Sequence, residues 1–193
     1  MPPIFGIDFG TSNSALSVCK NGKVDLLDVD PGNPISNSLK SILFFSKEDG
    51  EILSFVGHRG VTRYIENEAE GRYMQSIKSF LPDTGFEKTS VFGNAYSLEE
   101  LIAILLKVMK TRGQDIIGQD VQDLVLGRPV VFSKDPQRDA LAQDRLVRAA
   151  KLAGFKNIIF QMEPIAAALS YENTLPPGKE QFVLVGDFGA GSS

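Results

Sequence analysis

Residues 4–14 read "IFGIDFGTSNS", and residues 183–193 read "VLVGDFGAGSS". In both stretches the tripeptide Asp-Phe-Gly follows an apolar run and precedes small or hydroxylated residues. Glycine lets a ligand approach the backbone closely, and successive free amides beyond such a turn favour phosphate oxygens. A carboxylate at the end of the strand suits hydrated Mg²⁺. One copy alone would be better explained as an ordinary turn, but the repeat predicts a magnesium–nucleotide site.

The composition excludes several classes of protein. The chain has 193 residues, of which 42% are hydrophobic and 23% charged, as expected for one globular domain or two small ones. A net charge of −4 argues against a nucleic-acid surface. Cys19 is the only cysteine and His58 the only histidine, which excludes an internal disulfide and disfavours a His/Cys metal centre or a Ser-His-Asp triad. Without a basic leader or a membrane-length apolar run, we expect a cytoplasmic chain with no membrane partner.

The hydrophobic pattern predicts strands that later alternate with helices. An Asn21-Gly22 turn predicts a hairpin within an opening three-strand meander. The predicted strands cover residues 4–9, 14–20, 23–30, 39–45, 123–132 (interrupted at 127–129), 156–162 and 182–188, with a small strand pair or loop at 90–97. The predicted helices cover a helix-rich region at 59–80, a helix from the capping box at Ser97 to about Thr111, one from Pro136 to Ala153, and one after Glu163.

This order of elements predicts an α/β fold, in which helices cover both faces of a largely parallel sheet. Two other phosphate-binding classes are disfavoured. The sequence contains no G-x-x-x-x-G-K-[ST] motif, so it has no P-loop. It also contains no His-Arg-Asp motif and no glycine-rich loop with a following strand lysine, so Asp-Phe-Gly does not indicate a protein kinase.

The stretch "GIDFGTSNSALSV" (6–18) resembles the first phosphate loop of the actin-like ATPase superfamily, in the form found in seventy-kilodalton heat-shock (DnaK-like) chaperones. The resemblance continues in order along the chain. "SIKSFLP" matches a catalytic lysine at Lys78, "QMEPIAAALSYE" matches a Glu-Pro motif at Glu163, and "VGDFGAGSS" matches a second phosphate loop at Asp187. "GRPVVFSKDPQRDAL" matches at Pro129 and Arg138. Ser12, Asn13 and Ala190 differ from the residues usual at these positions of the family. With these differences the sequence resembles a divergent, YegD-like member.

The resemblance implies a ribonuclease-H-like, actin-type ATPase lobe, with a mixed five-stranded sheet, helices on both faces and a small inserted subdomain. Residues 1–36 and 97–186 would form subdomain IA, and residues 37–96 the inserted subdomain IB. Residues 187–193 would begin lobe II, which explains the repeated tripeptide, because each lobe contributes one phosphate loop. We therefore expect a fragment that is inactive without the adenosine-binding lobe.

The resemblance also implies ATP and Mg²⁺ as cofactors. The catalytic residues would be Lys78, Glu163, Asp187 and Asp8, with both aspartates holding Mg²⁺ through water. The phosphate-binding residues would be Gly10, Thr11, Ser12, Asn13, Gly189, Gly191 and Ser192. Hydrolysis in the full-length protein would drive the binding and release of client polypeptides through a domain not present here, with co-chaperones and exchange factors as possible partners.

Several alternatives stay open. Lys78 could be a solvated surface lysine, and Glu163 could be an acid favoured only by a helix N-terminus. A filament-forming bacterial actin shares the phosphate loops, but it lacks a counterpart to Lys78 and the insertion before Ser97. A small-molecule kinase of the same superfamily would need a substrate pocket that the sequence does not identify. A non-catalytic scaffold that kept the fold is the fourth alternative.

Overall fold

The computed structural model describes residues 2–172, 174–176, 178 and 181–186. Within them the strands are β1 (Ile4–Phe9), β2 (Asn13–Lys20), β3 (Lys23–Leu26), β4 (Leu39–Lys40), β5 (Leu43–Glu48), β6 (Glu51–Val56), β7 (Arg72–Met74), β8 (Lys88–Val91), β9 (Asn94–Ser97), β10 (Asp123–Arg128) and β11 (Asn157–Met162). The helices are α1 (His58–Glu66), α2 (Leu98–Ile117), α3 (Pro136–Leu152), α4 (Glu163–Glu172) and a 3-10 helix at Ile77–Phe80. None of these helices is both long and apolar enough to cross a membrane.

The central sheet has the strand order β11-β10-β1-β2-β3, with the short β4 paired to β2. Strands β1, β10 and β11 are parallel, whereas β1–β2 and β2–β3 are antiparallel. The antiparallel part is the predicted meander, and Asn21 and Gly22 take the positive φ angles of 53° and 78° that its hairpin turn requires. The mixed α/β sheet is therefore confirmed, with β4 as an additional sixth strand.

One face of this sheet is buried beneath helices. The alternating side chains of β1 put Phe5, Ile7 and Phe9 into the core, where each is at most 2% exposed. Helix α2 approaches this face closely at Gly113, because a Cβ there would lie 2.6 Å from a methyl group of Leu16. The opposite face carries the small residues of the same strands, and α4 flanks it across an open cleft.

The inserted region between β4 and α2 forms two smaller sheets. One has the order β6-β5-β7, and the other is the β8–β9 hairpin, which confirms the strand pair predicted at 90–97. Residues 59–80 contain α1 and the 3-10 helix as predicted, but β7 lies between them. Strand β6 was not predicted. It follows a Asp49-Gly50 turn with positive φ angles of 50° and 86°, which joins it to β5 as a hairpin.

Two predicted strands have different bounds in the structure. Strand β3 ends at Leu26 instead of residue 30, because the chain then turns inward and buries Val29 and Asp30, both 0% exposed. The strand predicted at 39–45 is divided at Ser41, since β4 pairs with β2 while β5 pairs with β6 and β7. The division directs the chain from the central sheet into the inserted region.

The two remaining differences concern strand ends near the nucleotide motifs. Strand β10 ends at Arg128, within the interruption predicted at residues 127–129, and no strand resumes up to residue 132; Pro129 has no amide to donate to a neighbouring strand. The strand predicted at 182–188 is wrong for residues 182–186, which form no strand, while residues 187 and 188 lie outside the described part. A strand forms only where a neighbour pairs with its backbone, and Leu184 is 99% exposed here.

The capping box predicted at the start of α2 is present. The Ser97 hydroxyl accepts from the Glu100 amide at 3.2 Å, and the Glu100 carboxylate accepts from the Ser97 amide at 2.7 Å. The helix continues past Thr111 to Ile117, because its first terminating residue is Gly118, which has a φ of 67°.

We expect Ser97→Ala to lower the free energy of unfolding by about 1 kcal/mol, because the Glu100 amide then loses its acceptor. The measurement is chemical denaturation of the full-length protein. Ser90→Ala, a change at an exposed serine of β8, is the matched control. Equal unfolding midpoints for both variants would contradict the role of the capping box.

Candidate functional site

The open face of the central sheet contains a cleft of about 420 Å³, lined by Asp8, Gly127 and Glu163 among others. Asp8 lies near the end of β1, Gly127 near the end of β10, and Glu163 directly after β11. These three strands are parallel, so their carboxyl ends lie at the same edge of the sheet. Such an edge is the usual place for ligands in open α/β sheets.

Gly127 lies beside both acidic residues of the cleft. A Cβ built on Gly127 would be 3.5 Å from Cγ of Glu163 and 3.7 Å from Cα of Asp8. An added Cβ would thus be in ordinary contact with both residues. This glycine was not among the predicted site residues, because a single glycine near a strand end has no distinctive pattern.

Lys78 and Glu163 form an ion pair, with Nζ 3.0 Å from Oε1. Their side chains are only 9% and 16% exposed. The 3-10 helix that carries Lys78 is anchored by Ile77 and Leu81, which are 4% and 0% exposed. Lys78 is therefore not a solvated surface lysine, and Glu163 has a specific partner in addition to its place at a helix N-terminus. Asp8 and Glu163 thus line one cleft, and Lys78 contacts the Glu163 carboxylate of that cleft.

The predicted first phosphate loop, residues 10–13, connects β1 to β2. The turn is so tight that a Cβ on Gly10 would lie 2.1 Å from the carbonyl oxygen of Asn13, so no larger residue fits. Thr11 is partly exposed, and Ser12 and Asn13 are exposed. The loop thus presents short polar groups on a backbone that only glycine allows.

Ser41 braces this loop from the segment between β4 and β5. Its hydroxyl donates to the carbonyl of Gly10 at 2.8 Å, and its amide donates to the carbonyl of Ser12 at 2.9 Å. Since that hydroxyl proton is used, Ser14 donates the 2.9 Å hydrogen bond between the two serine side chains. No local sequence pattern singled out Ser41, because its partners are 27 to 31 residues away.

Four predicted residues, Asp187, Gly189, Gly191 and Ser192, lie outside the described residues. In the part of the chain that the structure covers, no group of three or more histidine, cysteine, aspartate or glutamate side chains could hold a metal ion. The acidic residues that line the described cleft are Asp8 and Glu163.

The segment after Gly127 is fixed by a network that the sequence did not predict. Arg128 donates to both carboxylate oxygens of Asp139 at 3.1 Å, and the Phe132 amide donates to the same carboxylate at 2.6 Å. Burial opposes ionisation of Asp139, but these hydrogen bonds outweigh it and lower its pKa. The predicted residue Arg138 is exposed in the first turn of α3, and Pro129 is partly buried.

The chain is similar to known proteins along nearly its whole length. Residues 55–193 match a family model described as Hsp70 protein. The chain is 32% identical over 194 residues to the chaperone protein DnaK of Endomicrobium trichonymphae, an alignment that covers 100% of this chain and 29% of that protein. It is 30% identical over 191 residues to the chaperone protein DnaK of Halobacterium salinarum, covering 98% and 27%. The chain thus spans less than a third of either relative.

Proposed function

This chain belongs to the Hsp70 family, and from that membership we propose that it forms the first lobe of the ATP-binding domain of a chaperone that hydrolyses ATP. One observation carries the proposal: Asp8 and Glu163, which are far apart in the sequence, line one cleft, and Lys78 is ion-paired with Glu163 there. Family membership also sets aside the filament-forming actin and the small-molecule kinase.

The described residues fit a magnesium–nucleotide in two respects. The loop at Gly10–Asn13 is narrow and polar, and it lies at the end of the strand that carries Asp8. We propose that its amides and hydroxyls bind the β- and γ-phosphates, and that Asp8 holds Mg²⁺ through water together with Asp187. Gly189, Gly191 and Ser192 would contribute from the second lobe. When bound, the metal neutralises charge on the phosphate oxygens.

Lys78 would supply a positive charge near the transferred phosphoryl group, and Glu163 would hold that charge in position. Phosphoryl transfer needs little covalent help from the protein, so a fixed ammonium that offsets developing negative charge is a large part of catalysis. Glu163 holds that ammonium at 3.0 Å, and its own position at the cleft lets it orient a water molecule. Because Lys78 is nearly buried, its charge acts through less water than a surface lysine would.

The wider functions remain proposals for the full-length protein. We propose that ATP hydrolysis there drives the binding and release of client polypeptides, in the cytoplasm, with co-chaperones and exchange factors as partners. We propose the division into subdomain IA (1–36 and 97–186) and IB (37–96), which the separate sheets support except at Leu39–Lys40, where β4 pairs with β2 of the central sheet. Residues 187–193 would begin lobe II, and residues 1–193 alone would hydrolyse ATP negligibly.

The metal role of Asp8 can be tested with the full-length protein. We expect Mg²⁺ to tighten ATP binding at least about tenfold in the wild type, and Asp8→Asn to remove most of that gain, because the variant lacks the anion that holds the hydrated ion. Calorimetric titration with ATP in Mg²⁺ and in EDTA gives both affinities. Asp115→Asn, at an exposed acid of α2, is the control. An equal Mg²⁺ effect in Asp8→Asn and wild type would contradict the proposal.

A further inference from the structure

Arg145 is a buried arginine that binds the backbone of a distant segment. It lies on α3, and its side chain is 9% exposed. Its Nη1 donates to the carbonyls of Phe80, Leu81 and Asp83 at 3.1, 3.0 and 2.7 Å. Its Nη2 donates to the carbonyl of Phe86 at 2.7 Å. All of these acceptors lie within residues 80–86, which are 59 to 65 residues earlier in the chain.

The segment that Arg145 holds continues directly from the 3-10 helix of Lys78. The Leu81 amide donates to the Lys78 carbonyl at 3.1 Å, and the Leu81 carbonyl accepts from Arg145 at 3.0 Å. One residue therefore joins the turn of Lys78 to the guanidinium. Residues 81–87 contain no helix or strand, so regular backbone pairing does not fix their path.

Helix α2 also contacts the Arg145 guanidinium, through Glu99. The carboxylate of Glu99, in the first turn of α2, lies 4.0 Å from Nε of Arg145 and 3.6 Å from Nη1 of Arg148. Arg145 thus connects α2, α3 and the segment after Lys78. A guanidinium suits this place because its planar fork can donate to several acceptors at once.

We propose that Arg145 is a positioning residue for Lys78, and that it holds the lysine at the cleft through the backbone of residues 80–86. This inference rests on the function proposed above for Lys78. Without the guanidinium, several carbonyls of an irregular segment would lose a common donor, and the adjacent 3-10 helix could shift. A displacement of about 1 Å at a catalytic group can slow a reaction on the order of a hundredfold.

The test compares Arg145→Met with Arg148→Met in the full-length protein. Arg148 lies on the same helix and also contacts Glu99, but its side chain is 52% exposed and no hydrogen bond joins it to the residue 80–86 segment in the described part of the chain. We expect Arg145→Met to bind ATP within about twofold of the wild type, and to hydrolyse bound ATP about 10- to 100-fold more slowly in single-turnover assays. Arg148→Met should match the wild type in both measurements.

A second control separates positioning from general destabilisation. Lys110 is another buried cation of α2, and it donates to the Gly154 carbonyl at 2.6 Å. Lys110→Met removes a buried cation and its hydrogen bond away from residues 80–86, and it should leave single-turnover hydrolysis unchanged at a temperature where both variants are folded. If Lys110→Met slows hydrolysis as much as Arg145→Met, the effect is structural and the proposal is wrong.

Arg145→Lys tests the positioning role of Arg145 if Arg145→Met does not fold. A lysine keeps the charge but cannot reproduce the planar fork of the guanidinium. We therefore expect single-turnover hydrolysis to be slower than in the wild type and, where Arg145→Met folds, faster than in that variant. Wild-type hydrolysis in Arg145→Lys, or loss of folding in both variants, would overturn the inference. If Lys78→Ala itself leaves hydrolysis unchanged, the proposed function fails instead, whatever the Arg145 variants do.

Discussion

Lys78→Ala in the full-length protein is expected to hydrolyse bound ATP about 10²–10³-fold more slowly than the wild type. The reason is the loss of a fixed positive charge beside the phosphoryl group, at a site where little water screens it. ATP affinity should change by less than about threefold, because the phosphate loop and Asp8 keep their positions. The measurement is single-turnover hydrolysis at saturating protein, with affinity determined separately by calorimetry.

The fold of this variant should survive, since the partner left behind is not sealed in the core. Glu163 is 16% exposed and lines the cleft, so water can solvate its carboxylate once the ammonium is removed. Lys47→Ala, at an exposed lysine of β5, controls for loss of one positive charge. If Lys78→Ala were to hydrolyse ATP at the wild-type rate, Lys78 would have no catalytic role and the proposed mechanism would be wrong.

Asp30→Ala is expected to lower the free energy of unfolding more than Ser97→Ala does. The carboxylate of Asp30 is fully buried, and its two oxygens accept from the His58 amide at 3.1 and 2.9 Å. One oxygen also accepts from the Lys40 amide at 3.2 Å. Arg112 on α2 lies 3.5 Å away, and burial lowers the pKa of Arg112 against the attraction of Asp30.

Asp30 also serves as the cap of α1 from outside that helix. The residue at the N-cap position is Gly57, which has no side chain to accept from the first free amides, and a Cβ there would lie 2.6 Å from Asp30. The carboxylate takes the place of the missing cap and faces the positive end of the helix. It therefore joins the central sheet, the inserted region and α2 at one point.

Removing one partner of such a buried network leaves the others without compensation, so we expect Asp30→Ala to lower the free energy of unfolding by about 3–5 kcal/mol. Urea unfolding of the full-length protein, followed by circular dichroism, measures the loss. The matched control is Asp25→Ala, where an exposed carboxylate 2.9 Å from Lys23 should contribute less than about 1 kcal/mol. Similar losses in both variants would contradict the structural role of Asp30.

The main elements of the fold could be predicted because their signals are local. The Asn21-Gly22 turn, the capping box at Ser97 and the helix start at Pro136 depend on residues a few positions apart, and the structure contains all of them. Strand bounds were predicted less well, because a strand ends where its partner ends. Strand β3 and the segment at 181–186 show this, since apolar composition alone did not make them strands over the predicted lengths.

The candidate site also combines features that local sequence predicted with contacts that depend on distant residues. By itself the sequence determined the residue types of the phosphate loop and the resemblance that singled out Asp8, Lys78 and Glu163. Only the tertiary structure decided that Lys78 is buried against Glu163, that Ser41 braces Gly10, and that Arg145 holds the segment after Lys78. These contacts join residues 31 to 85 positions apart. No local pattern encodes them, because each depends on how packed elements bring distant side chains and carbonyls within hydrogen-bonding distance.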